Sequence, residues 1–195
     1  MEKVLQQLKE KRKIVDLVAI GIVAFLLSIP NLSPNLNLYF DDGCQHLMRA
    51  YGAYQTISRG ENWNIISDFA NGFGYSWDLF YGPLSEYILV ILGVVTKSFN
   101  IGFKILTYLL LFLAGRFMYQ LVHEMTDNRN TALLASIVYI TAPYFFTDIY
   151  IRHSLGEAMA FVFVPMVFSG LYHLFNTEKN HYDLIFRSSW FDLEP

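Results

Sequence analysis

Apolar residues along this chain gather into blocks, and the lengths of the blocks set the first expectations. Residues 14–30, 101–122, 131–147 and 155–175 are each long and apolar enough for a helix that crosses a bilayer. At a rise of about 1.5 Å per residue such blocks cover roughly 25–33 Å, against a hydrocarbon core of about 30 Å. A shorter block, 83–95, carries Glu86 and opens on Pro83, a residue favoured in the first turn of a helix. Apolar runs of about 10–14 residues more often lie in the interface than cross it. A carboxylate at mid-bilayer also costs a few kcal/mol. The pattern therefore predicts an all-α, polytopic integral membrane protein with about four transmembrane helices. Its outer loop, 31–100, contains an interfacial helix at 83–95, and polar segments flank the membrane domain 14–175 as a lead-in (1–13) and a tail (176–195).

Charge then orients the chain. Lys3, Lys9, Lys11, Arg12 and Lys13 precede the first block, so the positive-inside rule puts the N-terminus in the cytosol of a cell membrane. Residues 26–30 offer no small-x-small cleavage site, so this start reads as an uncleaved anchor. If 83–95 does not cross, loop 31–100 and the segment after residue 147 both reach the extracytoplasmic face. If it crosses, they lie on opposite faces.

Composition narrows the classes further. The chain is 54% hydrophobic, 17% aromatic and only 16% charged, too apolar for an ordinary soluble domain of 195 residues. Its net charge of −3 and lack of a basic stripe argue against nucleic acid as a partner. Cys44 is the only cysteine, which excludes an intrachain disulfide or a cysteine metal cluster.

Two polar segments carry the candidate chemistry. In the first, Asp42, His46 and Arg49 fall at i, i+4 and i+7 of a short helix with Asp41 beside them, so they share one face, expected to lie along the membrane surface. Two carboxylates, an imidazole and a guanidinium there suit binding of an anionic headgroup and removal of a proton; equally, Asp41 and Asp42 read as ordinary helix caps. In the second, Asp148 and Arg152 are four apart and Glu157 projects from the outer end of the last span. Ionisable groups in such a place face either water or a functional cavity. Between them lies an aromatic stretch, 72–83, with Tyr75, Trp77, Phe80 and Tyr81. It reads as an interfacial belt at headgroup depth, with Tyr39 and Phe40 as further anchors, or as a groove for an isoprenoid chain. One His and two Asp are too few ligands to name a metal, so the cofactor stays unknown, with a divalent metal as one option.

Taken in order, Asp42-x3-His46-x2-Arg49, Gly60, Gly72-Phe73-Gly74-Tyr75, Phe80-Tyr81-Gly82-Pro83-Leu84 and Asp148-x3-Arg152-x4-Glu157 resemble a known bacterial family. It is the multi-pass membrane family named 6-pyruvoyl-tetrahydropterin synthase-related, similar to YfhO-type proteins. The name implies no pterin chemistry. That family in turn is similar to the GT-C glycosyltransferases, which take sugar from a polyprenyl-phosphate donor on the extracytoplasmic face. The resemblance implies an N-terminal part of such an enzyme, working in cell-envelope glycan or lipid glycosylation, with membrane lipid and a polyprenyl-phosphate-sugar as partners. Asp41 or Asp42 would match the acidic residue of the first outer loop and act as base or metal ligand, with His46 as its partner. Arg49 and Arg152 would bind phosphate, and Tyr75, Tyr81, Asp148 and Glu157 would complete the substrate site. Family members are longer, so the chain's end at 187–195 reads as a truncation. The competing expectation is a non-catalytic membrane protein that binds or translocates lipid-linked sugar, or serves as a subunit of a complex.

Overall fold

The computed structural model describes residues 2–33, 41–62 and 64–176, with side chains from residue 12 onward. The expected Tyr39–Phe40 anchor and the tail beyond Asn176 lie outside these residues. Helix α1 runs Glu2–Ser28 without a break, so lead-in and first span form one helix, closed by a 3-10 turn at Ile29–Leu32 that contains Pro30. Then come α2 (Gly43–Ser58), an irregular loop, α3 (Leu84–Thr96), α4 (Phe99–Thr126), α5 (Arg129–Ile140), α6 (Pro143–Thr147), a π-helical turn at Asp148–Arg152, and α7 (Leu155–Asn176). Among the described residues three helices are long and apolar enough to cross a membrane: Arg12–Leu32, Phe99–Thr126 and Leu155–Asn176. The chain is thus an all-α, multi-pass membrane protein.

The expected span 131–147 is not one straight helix. Helix α5 stops at Ile140 and the chain bends by 42° before Pro143–Arg152, so a fourth crossing exists only if this bent pair counts as one. The cause is local. A residue before proline is pushed out of the helical region, and Ala142 sits at φ −58, ψ 136 while Pro143 opens the next turn.

Helix α3 begins one residue after Pro83 and has 13 residues, about 20 Å at helical rise, short of a bilayer core. It doubles back onto α4 through Lys97, in the left-handed region at φ 56, and Ser98, whose hydroxyl accepts the Ile101 N–H. The two backbones almost touch there: a Cβ on Gly102 would lie 2.8 Å from the Gly93 nitrogen. Helix α4 is the spine. Its Leu106, Leu110, Leu111 and Ala114 are buried with Ile140, Phe145, Leu155 and Ala158 of the surrounding helices. Under the irregular loop, Trp77 is fully buried with Ala53 and Ile66, its ring edge-on to Tyr87 at 5.6 Å. That corrects the expected belt. Trp77 packs the loop, whereas Phe80 is 76% exposed.

The packing sorts polar groups to two ends of the bundle. At one end, Lys104 of α4 donates to the carbonyls of Leu32 and Ser33 beyond α1, at 3.2 and 2.9 Å. The Tyr150 hydroxyl bonds the Leu27 carbonyl nearby. At the other end, Arg129 of α5 grips Asp16 of α1.

Candidate functional site

The two polar segments meet at the first of these ends. The Asp42 N–H donates to the Arg152 carbonyl at 2.8 Å, although the two are far apart in sequence. Asp42 is the N-cap of α2, yet its carboxylate makes no capping bond. It lies 3.9 Å from the Arg152 guanidinium instead. Asp42, His46 and Arg49 do share one face, but that face turns into the bundle rather than along a surface: His46 is buried and Arg49 largely so, while Asp41 is exposed.

His46 does not partner the aspartates. Its Nδ1 lies 2.7 Å from Glu86 Oε1, and its Nε2 accepts the Leu155 N–H at 3.3 Å. An Nε2 that accepts carries no proton, so the ring hydrogen sits on Nδ1 and is donated to Glu86. Both nitrogens are taken, and the expected orientation of Asp41 or Asp42 by this imidazole is corrected accordingly. Glu86, in the first turn of α3, is fully buried; its Oε2 accepts from the Ser85 hydroxyl at 2.6 Å and its Oε1 lies 4.0 Å from Arg49.

Arg49 is held by rings. Its guanidinium carbon lies 5.0 Å from the Tyr81 ring centroid and 5.9 Å from that of Tyr75, within cation–π range. Nη2 reaches the Tyr75 hydroxyl only at 3.5 Å, and Nε has no partner among the described residues. Tyr81 is fixed in turn. Its hydroxyl accepts the Gly156 N–H at 3.0 Å, and burial pushes its phenol above the ordinary range. A Cβ on Gly156 would sit 2.5 Å from that oxygen, so only glycine lets α7 start this close.

Arg152 is the opposite case. Its Nη1 and Nη2 bond both oxygens of Glu157 at 2.7 and 2.6 Å, Nη1 also reaches Asp148 at 3.1 Å, and Asp42 stands at 3.9 Å. The Tyr144 hydroxyl donates to Glu157 at 2.5 Å. The π-helical turn permits this by adding slack between Asp148 and His153, and such turns recur at functional sites. His153 then adopts φ 52 and is buried edge-on to Phe103 at 5.2 Å. Burial, with a smaller contribution from His46, pushes its imidazole down to about 4. One oxygen of the buried Asp148, Oδ2, has no partner among the described residues.

The site therefore brings together all the expected residues except Asp41, which stays at its rim. Carboxylates (Asp42, Glu86, Asp148, Glu157) outnumber guanidinium groups (Arg49, Arg152), and Arg152 is already engaged by three of them. Arg49 is left as the cation with donors to spare, and Asp42 as the half-exposed carboxylate nearby. Chemically, this arrangement can bind a single anionic group and accept a proton. Among the described residues no three His, Cys, Asp or Glu side chains converge as metal ligands, so no step is assigned to a metal. Sequence reasoning missed Glu86, read only as a reason against crossing, and also Gly156, Tyr144 and His153. Glu86 and His46 are 40 residues apart, and no local spacing joins them.

Comparison with known proteins gives two findings. The model of a membrane-protein family, the 6-pyruvoyl-tetrahydropterin synthase related domain, matches residues 79–191. That stretch carries Tyr81, Glu86, Asp148, Arg152 and Glu157, while Asp42, His46 and Arg49 lie before it. An uncharacterised protein of Lactococcus lactis subsp. cremoris (strain MG1363) is 29% identical over 129 residues, which are 62% of this chain. The chain spans about a fifth of that relative, 21% of its length. No solved structure matches.

Proposed function

We propose that this chain, which belongs to the 6-pyruvoyl-tetrahydropterin synthase related family of membrane proteins, carries the acidic site of a GT-C-type glycosyltransferase. The donor is a polyprenyl-phosphate-linked sugar, used on the extracytoplasmic face in cell-envelope glycan or lipid glycosylation. The N-terminus lies in the cytosol, as the basic residues in the first half of α1 favour. The observation that carries this reading is the joining of Asp42 to Arg152 at 2.8 Å, which makes one site of two distant segments.

In this reading Arg49 binds the donor phosphate through its free donors. Tyr75 and Tyr81, which flank it, line the approach of the first isoprenoid units. Asp42 accepts the proton of the acceptor hydroxyl as its oxygen attacks the anomeric carbon. The bond from that carbon to the phosphate oxygen breaks, and its electron pair leaves on the polyprenyl phosphate, whose growing charge Arg49 stabilises. Arg152, Asp148 and Glu157 hold the outer wall, and His46 acts behind Arg49 rather than on substrate.

The test is transfer of labelled sugar from a polyprenyl-phosphate donor in membranes that contain the full-length protein. Asp42→Asn lowers turnover about 100-fold, within the usual range for losing a general base, and leaves donor binding intact. If Asp41→Ala and Asp42→Ala both leave turnover unchanged, the catalytic assignment is wrong. A binding or translocating protein for lipid-linked sugar is the second reading, favoured by the number of carboxylates already committed to ion pairs. It requires Arg49 and neither aspartate.

A further inference from the structure

Glu86 has no part in the chemistry just described, yet it is a costly group to bury. It is 0% exposed, and a buried carboxylate is tolerated only when hydrogen bonds and opposite charge make up for lost water. Hydrogen bonds come from the Ser85 hydroxyl at 2.6 Å and the His46 Nδ1–H at 2.7 Å. The first turn of α3 adds the favourable end of a helix dipole. None of these brings a full positive charge, because His46 uses Nε2 to accept from Leu155 and donates as a neutral ring. The cation nearest the carboxylate is Arg49, at 4.0 Å. That distance is too long for a hydrogen bond and short enough for strong attraction where water is scarce. Glu86 thus pulls the guanidinium inward without using up its donors. The Tyr81 and Tyr75 rings stop it from tilting, and His46, edge-on to Tyr81 at 5.2 Å, ties carboxylate and ring together.

We propose that Glu86 is the positioning residue for Arg49: oriented by His46, its carboxylate holds the guanidinium between Tyr75 and Tyr81 with donors left for a phosphate oxygen. This rests on the reading of Arg49 as the phosphate-binding group. It gives His46 its role, as the fixed hinge between Glu86 on α3 and Leu155 on α7. A plain staple of α2, α3 and α7 uses the same contacts but makes a different prediction, because it holds the helices without governing where Arg49 points.

The experiment is modification of arginines by phenylglyoxal, followed residue by residue by peptide mass spectrometry, on the full chain in lipid nanodiscs. Without ligand, Glu86→Gln keeps the shape of the side chain and speeds reaction at Arg49 about fivefold, the order expected for loss of one partly buried ion pair. The rate at Arg59, on the exposed loop, stays as it was, as does the thermal midpoint. A double variant, His46→Leu with Glu86→Leu, gives the same acceleration, and replacing both buried partners by apolar groups guards against misfolding. An Arg49 rate equal to wild type in both variants overturns the assignment. So does a common rise at Arg49, Arg59 and Arg152 with a lowered midpoint, which marks a staple only. Farnesyl monophosphate as probe separates the underlying reading. It slows modification of Arg49 in wild type, and the half-protecting concentration rises about fivefold in Glu86→Gln. If it gives wild type no protection, the phosphate reading falls, while Glu86 is still judged by the ligand-free rates.

Discussion

The two ends of the bundle are built from the same side chains and follow different rules. At the Asp16 end the buried carboxylate is fully matched: Arg129 makes Nε and Nη2 bonds to Asp16 at 2.6–2.8 Å, and the Tyr119 hydroxyl completes that carboxylate at 2.8 Å. Glu124, beside it, is closed by Ser169 at 2.5 Å, Gln120 at 3.0 Å and His173 at 3.2 Å. At the Arg49 end acids outnumber arginines, Asp148 Oδ2 and Arg49 Nε have no partner among the described residues, and the backbone runs through a π-turn and a left-handed His153. Closed networks fix helices to one another. Loose ends on buried polar atoms cost stability and persist where something else is meant to bind.

The comparison breaks first where the cost is largest. Asp16→Ala leaves Arg129 and Tyr119 without their acceptor and lowers stability by about 3 kcal/mol, the low end for a broken buried pair because Arg129 is 41% exposed. Chemical denaturation in detergent shows the loss, and farnesyl monophosphate affinity stays unchanged. If affinity falls in step with stability, the two ends are not independent.

Acid tests the other end when wild type is compared with His153→Asn. His153 moves from 6.5 in the unfolded chain to about 4 when buried, so below pH 6.5 the unfolded chain binds the proton first. Its contribution is whole above pH 6.5, shrinks as pH falls toward 4, and reaches at most ~3 kcal/mol. The thermal midpoint therefore drops through that window, and His153→Asn flattens the profile. A midpoint indifferent to pH between 6.5 and 4 contradicts a buried neutral His153.

Arg49→Ala differs from the Asp16 result in what it does to binding. Binding of a single phosphate weakens by about 2 kcal/mol, the worth of a charge-assisted contact, and stability falls by about 1–2 kcal/mol as Glu86 loses its nearest cation. Titration calorimetry with farnesyl monophosphate and a denaturation curve read the two numbers on one sample. Gly156→Ala has the smallest effect, about 1 kcal/mol of crowding against the Tyr81 hydroxyl, seen as a modest loss of affinity through the displaced ring.

These differences also mark what the sequence could tell. Blocks at 14–30, 101–122 and 155–175 became α1, α4 and α7 because helix length and apolar run are local properties. The 83–95 block became α3 for the same reason, Pro83 standing just before its first turn. The break before Pro143 follows from the proline itself, and beyond it α6 stacks Phe145 on Phe161 at 4.4 Å. The shared face of Asp42, His46 and Arg49 came from helical spacing. Its inward direction came from Glu86 and Leu155, contacts across 40 and 109 residues that no spacing encodes. Trp77 misled for a related reason: an aromatic loop near lipid reads as a belt, and only packing against Ile66 and Tyr87 shows it is a small core of its own.

The central claim is that the α2 segment and the π-turn form one site on one side of the membrane. Two thiols test it: native Cys44, and one introduced by Ile151→Cys with Cys44→Ser, at a position 59% exposed. In whole cells a membrane-impermeant maleimide labels both if the two segments share the extracytoplasmic end, as proposed. If Cys44 is labelled from outside and the 151 thiol reacts only with a permeant reagent, the two segments face opposite sides and the composite site does not exist.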